Sequence, residues 1–228
     1  LVALIIRGLL RTYHRLEIEG AEHLPKERSF VMVANHSSHL DTVCLLAALP
    51  FRRLHRAFPA AAADYFFQSV PRTWIASVVV NALPFSRRVN VRQTLTVCSE
   101  LLANEGNILI IFPEGTRSTT GATQEFKCGI GALVAGRDVD VLPCYLHGAF
   151  RAWPKGCSFP RPRKVRLTIG PPRNYAARGN DKASISLIAS ELRHAVEQLR
   201  DDCDRTHLDQ LGRPEAVLSL VETREAER

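Results

Sequence analysis

Apolar residues fall along this chain in short runs whose spacing switches between the period of a strand and that of a helix. Leu1–His14 is apolar around most of a helical circumference, with Arg7, Arg11 and Arg15 four residues apart on one stripe. Arg15–Gly20 (RLEIEG) alternates with period two, and Phe30–Ala34 (FVMVA) is a short continuous apolar run; both predict strands. Ser37–Ala48 predicts a helix, Arg53–Pro59 a strand, Ala60–Phe67 an Ala-rich helix, and Val78–Phe85 a β-rich stretch. Val89–Ala103 (helix), Ile108–Phe112 (buried strand), Phe126–Ala135 (helix), Val139–Leu146 and Val165–Ile169 (strands) and Ala183–Leu199 (helix) follow. Strands alternating with helices predict an α/β fold, a central and mostly parallel mixed sheet flanked by helices, with an N-terminal apolar helix. That first helix fits a membrane interface, the cut end of a longer anchor, or a core helix. The pattern divides the chain into residues 1–14, a membrane-interface helix; 15–200, one α/β domain; and 201–228, an acidic tail or linker.

Composition narrows this picture. At 228 residues, 46% hydrophobic and 23% charged, the chain is an ordinary globular domain and needs no disulfide or metal to hold together. No apolar run reaches the 18 residues of a spanning helix. Residue 1 is Leu and Met32 is the single methionine, which reads as a domain cut from a longer protein. Cys44, Cys98, Cys128, Cys144, Cys157 and Cys203 contain no C-x-x-C pair and read as reduced, buried thiols in a cytosol-facing compartment. The net charge of +7 is uneven: +11 over residues 1–180 and −4 over 181–228, with eight Lys/Arg and no acid from Val141 to Asn180. Such a field suits a phosphate substrate, an anionic membrane or a nucleic acid, or is a solvated basic face.

The candidate chemistry sits where strands end, the edge at which ligands bind in open α/β sheets. After FVMVA comes N35-H36-S37-S38-H39-L40-D41. A histidine at a strand exit with an aspartate five residues on forms a His–Asp pair, in which the carboxylate fixes the tautomer and the other ring nitrogen takes a proton from a hydroxyl. Ser38 and Asp41 also match an S-x-x-D capping box for the helix that follows. After ILII comes F-P-E114-G115-T116-R117-S, where Gly115 permits a tight turn and Glu114 and Arg117 are presented at the rim. Arg117 suits bidentate phosphate binding; a plain Arg–Glu pair holding a surface turn is the alternative. Asn81–Arg88 (NALPFSRR) brings Arg87 to a third exit. These exits supply a base, its orienter and a phosphate clamp without a nucleophile elbow, so the nucleophile is a hydroxyl of the substrate itself.

In this order and spacing, N-H-S-S-H-L-D and F-P-E-G-T-R-S resemble the signatures of the glycerolipid acyltransferases of the lysophosphatidate (1-acyl-sn-glycerol-3-phosphate) type. L-P-F-S-R resembles the family's intervening block, with Ser86 where an acid is usual and Arg87 matched. F-K-C-G-I-G (126–131) and V-L-P-C-Y (141–145) resemble later blocks, so the likeness runs from about Arg15 to Gly170. The resemblance implies that residues 15–200 are an acyltransferase catalytic domain. His36 would deprotonate the hydroxyl of a lysophospholipid, Asp41 would orient the imidazole, and backbone N–H groups near the His box would steady the oxyanion. Arg87, Glu114, Gly115, Thr116 and Arg117 would hold the acceptor's glycerol and phosphate. It implies no resident cofactor, acyl-CoA or acyl carrier protein as acyl donor, and work at the cytoplasmic face of a membrane. Other lysophospholipids or lipid alcohols fit as acceptors, and similar blocks occur in acyltransferase domains fused to acyl-activating or carrier modules.

Two other classes stay open on residues alone. His36, His39 and Asp41, joined by His55 or His147, are metal-ligand types and would suit a metal-dependent hydrolase, although Thr42 stands where such sites need another histidine. Otherwise His39 is a helix-surface or supporting histidine. A lipid- or nucleic-acid-binding module would account for the basic segment but not for the His–Asp box, and nucleic acid is not expected as a partner.

Overall fold

The computed structural model describes residues 2–62, 83–85 and 91–211. In chain order the elements are α1 (Val2–Tyr13), β1 (Glu17–Glu19), β2 (Phe30–Ala34), α2 (Asp41–Ala48), β3 (Ala57–Ala62), β4 (Leu83–Phe85) and α3 (Val91–Ala103). They continue with β5 (Ile108–Ile111), α4 (Gly129–Val134), β6 (Asp140–His147), α5 (Ala149–Ala152), β7 (Arg166–Ile169), β8 (Arg173–Asn174) and α6 (Lys182–Leu211). The strands lie in the order β1-β7-β6-β2-β5-β3-β4, with β8 also on β6. β6, β2, β5, β3 and β4 are mutually parallel, while β7 and β8 run antiparallel to β6.

β2 lies at the centre and all five of its residues are buried, because helices cover both faces; a strand in that position needs no polar alternation. Phe30, Met32 and Ala34 face a core completed by α1 and α2, including Leu10, Leu45 and Leu49. Val31 and Val33 face the opposite core, with Leu133 of α4 and Ile188, Leu192 and Val196 of α6. Gly131 is required between those two helices, since a Cβ there would lie 2.1 Å from the Ile185 carbonyl oxygen.

Several sequence expectations are corrected. Phe51–Arg56 is a 3₁₀ turn rather than the start of a strand. Arg53 causes this by turning its guanidinium inward onto the carbonyls of Lys26 (3.2 Å), Arg28 (3.0 Å), Gly106 (2.9 Å) and Pro25. Ala60–Ala62 is strand rather than helix, because pairing with Leu83–Phe85 overrides the local preference of alanine; residues 63–67 and 78–82 lie outside the described residues. The last helix continues through Leu211, so residues 201–211 are not a tail. Cys203 is buried there, with its sulfur 3.2 Å from the Arg166 guanidinium. The thiols are not uniformly buried, since Cys128 is exposed and Cys157 partly so.

The basic stripe of α1 is also different. Arg15 lies past the helix at φ 47°, and Arg7 turns inward, donating to the carbonyls of Leu46 (3.4 Å) and Leu49 and lying 3.8 Å over the Phe51 ring. It thereby caps the C-terminal end of α2, where a cation meets orphan carbonyls. Arg11 remains exposed, and no described helix is long and apolar enough to cross a membrane.

Candidate active site

The parallel strands β2 and β5 pair up to Val33 opposite Ile111, so the two motif loops leave the sheet side by side. Asn35 makes the exit possible. Its side chain takes the Leu146 N–H (2.8 Å) and donates to the Leu146 carbonyl (3.3 Å), replacing a ladder contact to β6. The main chain is then free to turn and present His36. The two loops are cross-tied: the His36 N–H donates to Glu114 Oε1 (2.9 Å), and the Ser118 N–H donates to the His36 carbonyl (2.8 Å).

His36 Nδ1 lies 2.8 Å from Asp41 Oδ2; the Asp41 side chain is fully buried and that of His36 is 22% exposed. The same oxygen accepts the N–H groups of Ser37 (2.7 Å) and Ser38 (2.8 Å). Asp41 is the first residue of α2, where the helix dipole favours an anion. Asp41 reaches back to the Ser38 N–H, but the Ser38 hydroxyl takes the Leu40 N–H (3.1 Å) and the helix is capped at Leu40 with no side-chain bond, so the expected capping box forms only in its reach-back half. An ionised Asp41 places the ring proton on Nδ1 and leaves the lone pair on Nε2, facing away from the carboxylate. Phe112 stacks on the imidazole (4.1 Å between centroids, 17° between planes) and fixes the ring plane.

The expected oxyanion donors are differently used. From His36 to Leu40 each backbone N–H is engaged: His36 with Glu114, Ser37 and Ser38 with Asp41, His39 with the Trp153 carbonyl, and Leu40 with Ser38 Oγ. The physical reason is the tight turn, which folds these donors onto Asp41 and its neighbours.

The second loop places its residues unequally. Gly115 and Thr116 are exposed at the rim and Arg117 is half-buried. Glu114, expected at the rim, is instead turned inward and buried, where it holds the His36 main chain. Burial pushes its carboxyl up to about 7, against the pull of the His36 N–H and of Gln124. The folded protein therefore keeps a proton that the unfolded chain releases between pH 4.5 and about 7, and the group opposes folding increasingly as pH rises through that window. Glu114→Gln, which retains an acceptor for the His36 N–H, should raise the melting temperature near about pH 8 and change it little near about pH 5. Melting curves across that range check this.

Arg117 lies against His39, its Nη1 2.8 Å from Nδ1 and 2.6 Å from Nε2. Burial, then the Arg117 charge, lower His39 to about 4, so the ring is neutral at pH 7. A guanidinium at the ring nitrogens of His39 is incompatible with metal ligation there, and among the described residues no three His, Cys, Asp or Glu groups converge to hold a metal. Arg87 lies outside the described residues; β4, which precedes it, ends at Phe85 in parallel alignment with β3.

Sequence reasoning missed Lys127. Its ammonium packs over Gly115, where a Cβ would meet the movable Nζ at 2.4 Å, and Gly115 has φ 72°, a left-handed backbone that favours glycine. The Lys127 N–H donates to the Pro113 carbonyl (3.0 Å), which fixes the base of this side chain on the turn that carries Arg117. The Lys in F-K-C-G was the available clue.

Known proteins match across the same residues. A family model described as Acyltransferase matches residues 15–147. The 1-acyl-sn-glycerol-3-phosphate acyltransferase alpha of Mus musculus is 26% identical over 188 residues, covering 80% of this chain and 62% of that protein. The chloroplastic 1-acyl-sn-glycerol-3-phosphate acyltransferase LPAT1 of Arabidopsis thaliana is 33% identical over 147 residues, covering 63% of this chain and 39% of that protein. This chain thus spans less than two thirds of either relative's length. The crystal structure of the 1-acyl-sn-glycerophosphate (LPA) acyltransferase PlsC from Thermotoga maritima has a similar fold, with TM-score 0.64 and 26% identity over 86% of this chain and 79% of that one. The family match takes in more than half of the chain and encloses both the loop that holds His36 on Asp41 and the turn from Glu114 to Arg117; the chain belongs to the acyltransferase family.

Proposed function

We propose that this chain transfers a fatty acyl group from an acyl thioester, acyl-CoA or acyl carrier protein, to the free hydroxyl of 1-acyl-sn-glycerol-3-phosphate, giving phosphatidic acid. The observation that carries this reading is the His36–Asp41 pair (2.8 Å), set on adjoining strand exits with the cationic turn of Arg117 and Lys127. The pair supplies a base and the turn supplies cations for a phosphate; no serine or cysteine nucleophile is required if the acceptor brings its own oxygen.

In the proposed step, His36 Nε2 takes the acceptor's hydroxyl proton as its oxygen attacks the thioester carbonyl. Asp41 stabilises the imidazolium through Nδ1–H. Collapse of the tetrahedral intermediate breaks the C–S bond, and the imidazolium returns its proton to the departing thiolate. One ester forms, one thioester is consumed, and no resident cofactor takes part. Glu114 acts as a positioning residue through the His36 main chain rather than on the acceptor. Arg117, Lys127 and Arg87 hold the phosphate, with Gly115 and Thr116 lining the turn. The exposed apolar side of α1 and the basic segment beyond Val141 suit work at a membrane surface, and its cytoplasmic face is the compartment proposed.

A panel of acceptors against both donors, read by mass spectrometry, tests the assignment. Acylation of lysophosphatidate in preference to lysolipids with larger head groups supports it, and acylation only of the latter would move the acceptor assignment. Arg117→Gln and Lys127→Gln should each raise KM for lysophosphatidate by about 10- to 100-fold, the worth of a hydrogen bond to a charged group, with kcat changed less. Steady-state kinetics with varied acceptor check this, and an unchanged KM in both variants would remove these residues from the clamp.

A further inference from the structure

The main chain alone does not place the guanidinium of Arg117. The turn from Glu114 to Ser118 is bonded to His36 at both ends, through the His36 N–H on Glu114 Oε1 (2.9 Å) and the Ser118 N–H on the His36 carbonyl (2.8 Å). These bonds fix the Cα of Arg117, but several rotatable bonds separate that atom from the charge. His39 meets the guanidinium directly: Nη1 lies 2.8 Å from its Nδ1 and 2.6 Å from its Nε2. The ring is neutral at pH 7, and with both nitrogens in reach either tautomer offers Nη1 a lone pair.

His39 is itself held from its other side. Its N–H donates to the Trp153 carbonyl (3.2 Å), the Ser38 hydroxyl donates to the same carbonyl (2.8 Å), and the Trp153 ring lies 5.1 Å from the imidazole. Ser38 also bridges to Pro154. The imidazole is thus a fixed acceptor on the loop that carries His36. Its chemistry suits that task. A neutral ring takes a guanidinium N–H without offsetting the positive charge, whereas a carboxylate there would neutralise the charge that a phosphate needs.

We propose that His39 is a positioning residue, which holds Arg117 beside the His36 loop and so sets where the acceptor's phosphate lies relative to the base. This role rests on the acyltransferase reading, in which Arg117 binds the phosphate and His36 takes the hydroxyl proton. An acceptor seated on Arg117 then brings its hydroxyl to His36 Nε2, because clamp and base are held at one spacing by the same loop. Packing against Trp153 alone is a different role, one that any side chain of similar volume would fill.

Steady-state kinetics of His39 variants, with lysophosphatidate and acyl thioester varied in turn, test this. His39→Leu keeps the volume but offers no acceptor. It should raise KM for lysophosphatidate about tenfold, the worth of pre-ordering one arginine, with kcat and the thioester KM changed less than about threefold. His39→Ala should do the same, and gives the reading if leucine perturbs the fold. His39→Gln, whose amide oxygen replaces Nε2 as acceptor, should stay within about threefold of wild type. Adding His39→Leu to Arg117→Gln should raise KM no further than Arg117→Gln alone, because the two side chains act as one unit. Melting curves show which variants fold. An unchanged KM in folded His39→Leu or His39→Ala would overturn the role of His39. So would an effect that multiplies with that of Arg117→Gln, or leucine restoring what glutamine does not. In each of these cases wild type still acylates lysophosphatidate and the acyltransferase reading stands. Wild type that acylates no lysophosphatidate overturns that reading, and the role of His39 with it.

Discussion

Replacing His36 with alanine is expected to lower kcat by about 10²–10⁴-fold, the usual worth of a positioned general base, while the protein still folds. The expectation follows from where the residue sits. His36 lies on a loop after β2, partly exposed, and contributes a hydrogen bond to Asp41 and a stack on Phe112 but no part of either core. Its loss leaves Asp41 Oδ2 with the Ser37 and Ser38 N–H groups. The stability cost is that of one lost partner, about 1–3 kcal/mol. Thioester consumption dependent on acceptor, measured beside a melting curve, separates a chemical loss from unfolding.

Replacing Asp41 with asparagine should cost about as much activity, about 10²–10⁴-fold, by a different route. The asparagine oxygen in the place of Oδ2 still takes the Ser37 and Ser38 N–H groups and the His36 Nδ1–H, so the loop, the start of α2 and the ring tautomer persist. The negative charge is lost, and with it the stabilisation of the imidazolium that forms as His36 takes the acceptor's proton. Asp41→Ala behaves differently. It removes three hydrogen bonds at a fully buried position and the charge at a helix start, so a stability loss of about 3–5 kcal/mol accompanies the loss of activity. NMR of the labelled histidine checks this: Nδ1–H is expected in wild type and in the asparagine variant alike, and an Nε2–H ring in the variant would show that a changed tautomer causes the loss instead.

What the sequence made legible was what local pattern controls. FVMVA and ILII are continuous apolar runs because they lie at the covered centre of the sheet, and both form strands as read. The His36–Asp41 contact was legible too, since five residues from strand end to helix start bring the two side chains within reach. What escaped depends on partners distant in the chain. Arg7, read on a basic stripe, caps a helix some forty residues on. Arg53 spends its charge on the carbonyls of two loops. Glu114, beside an arginine in sequence, turns to the His36 main chain 78 positions away. Part of the basic excess is therefore structural, and net charge alone overstated what is free for phosphate.

Acyl transfer by His36, with the acceptor's own oxygen as nucleophile, is tested by a product count from purified protein given acyl thioester and 1-acyl-sn-glycerol-3-phosphate, with free thiol and phosphatidic acid quantified together. Wild type should release one thiol per phosphatidic acid formed, and His36→Ala should give neither above background. Acylated lipid made equally well by His36→Ala, or no acylated lipid from wild type with any donor, would contradict it.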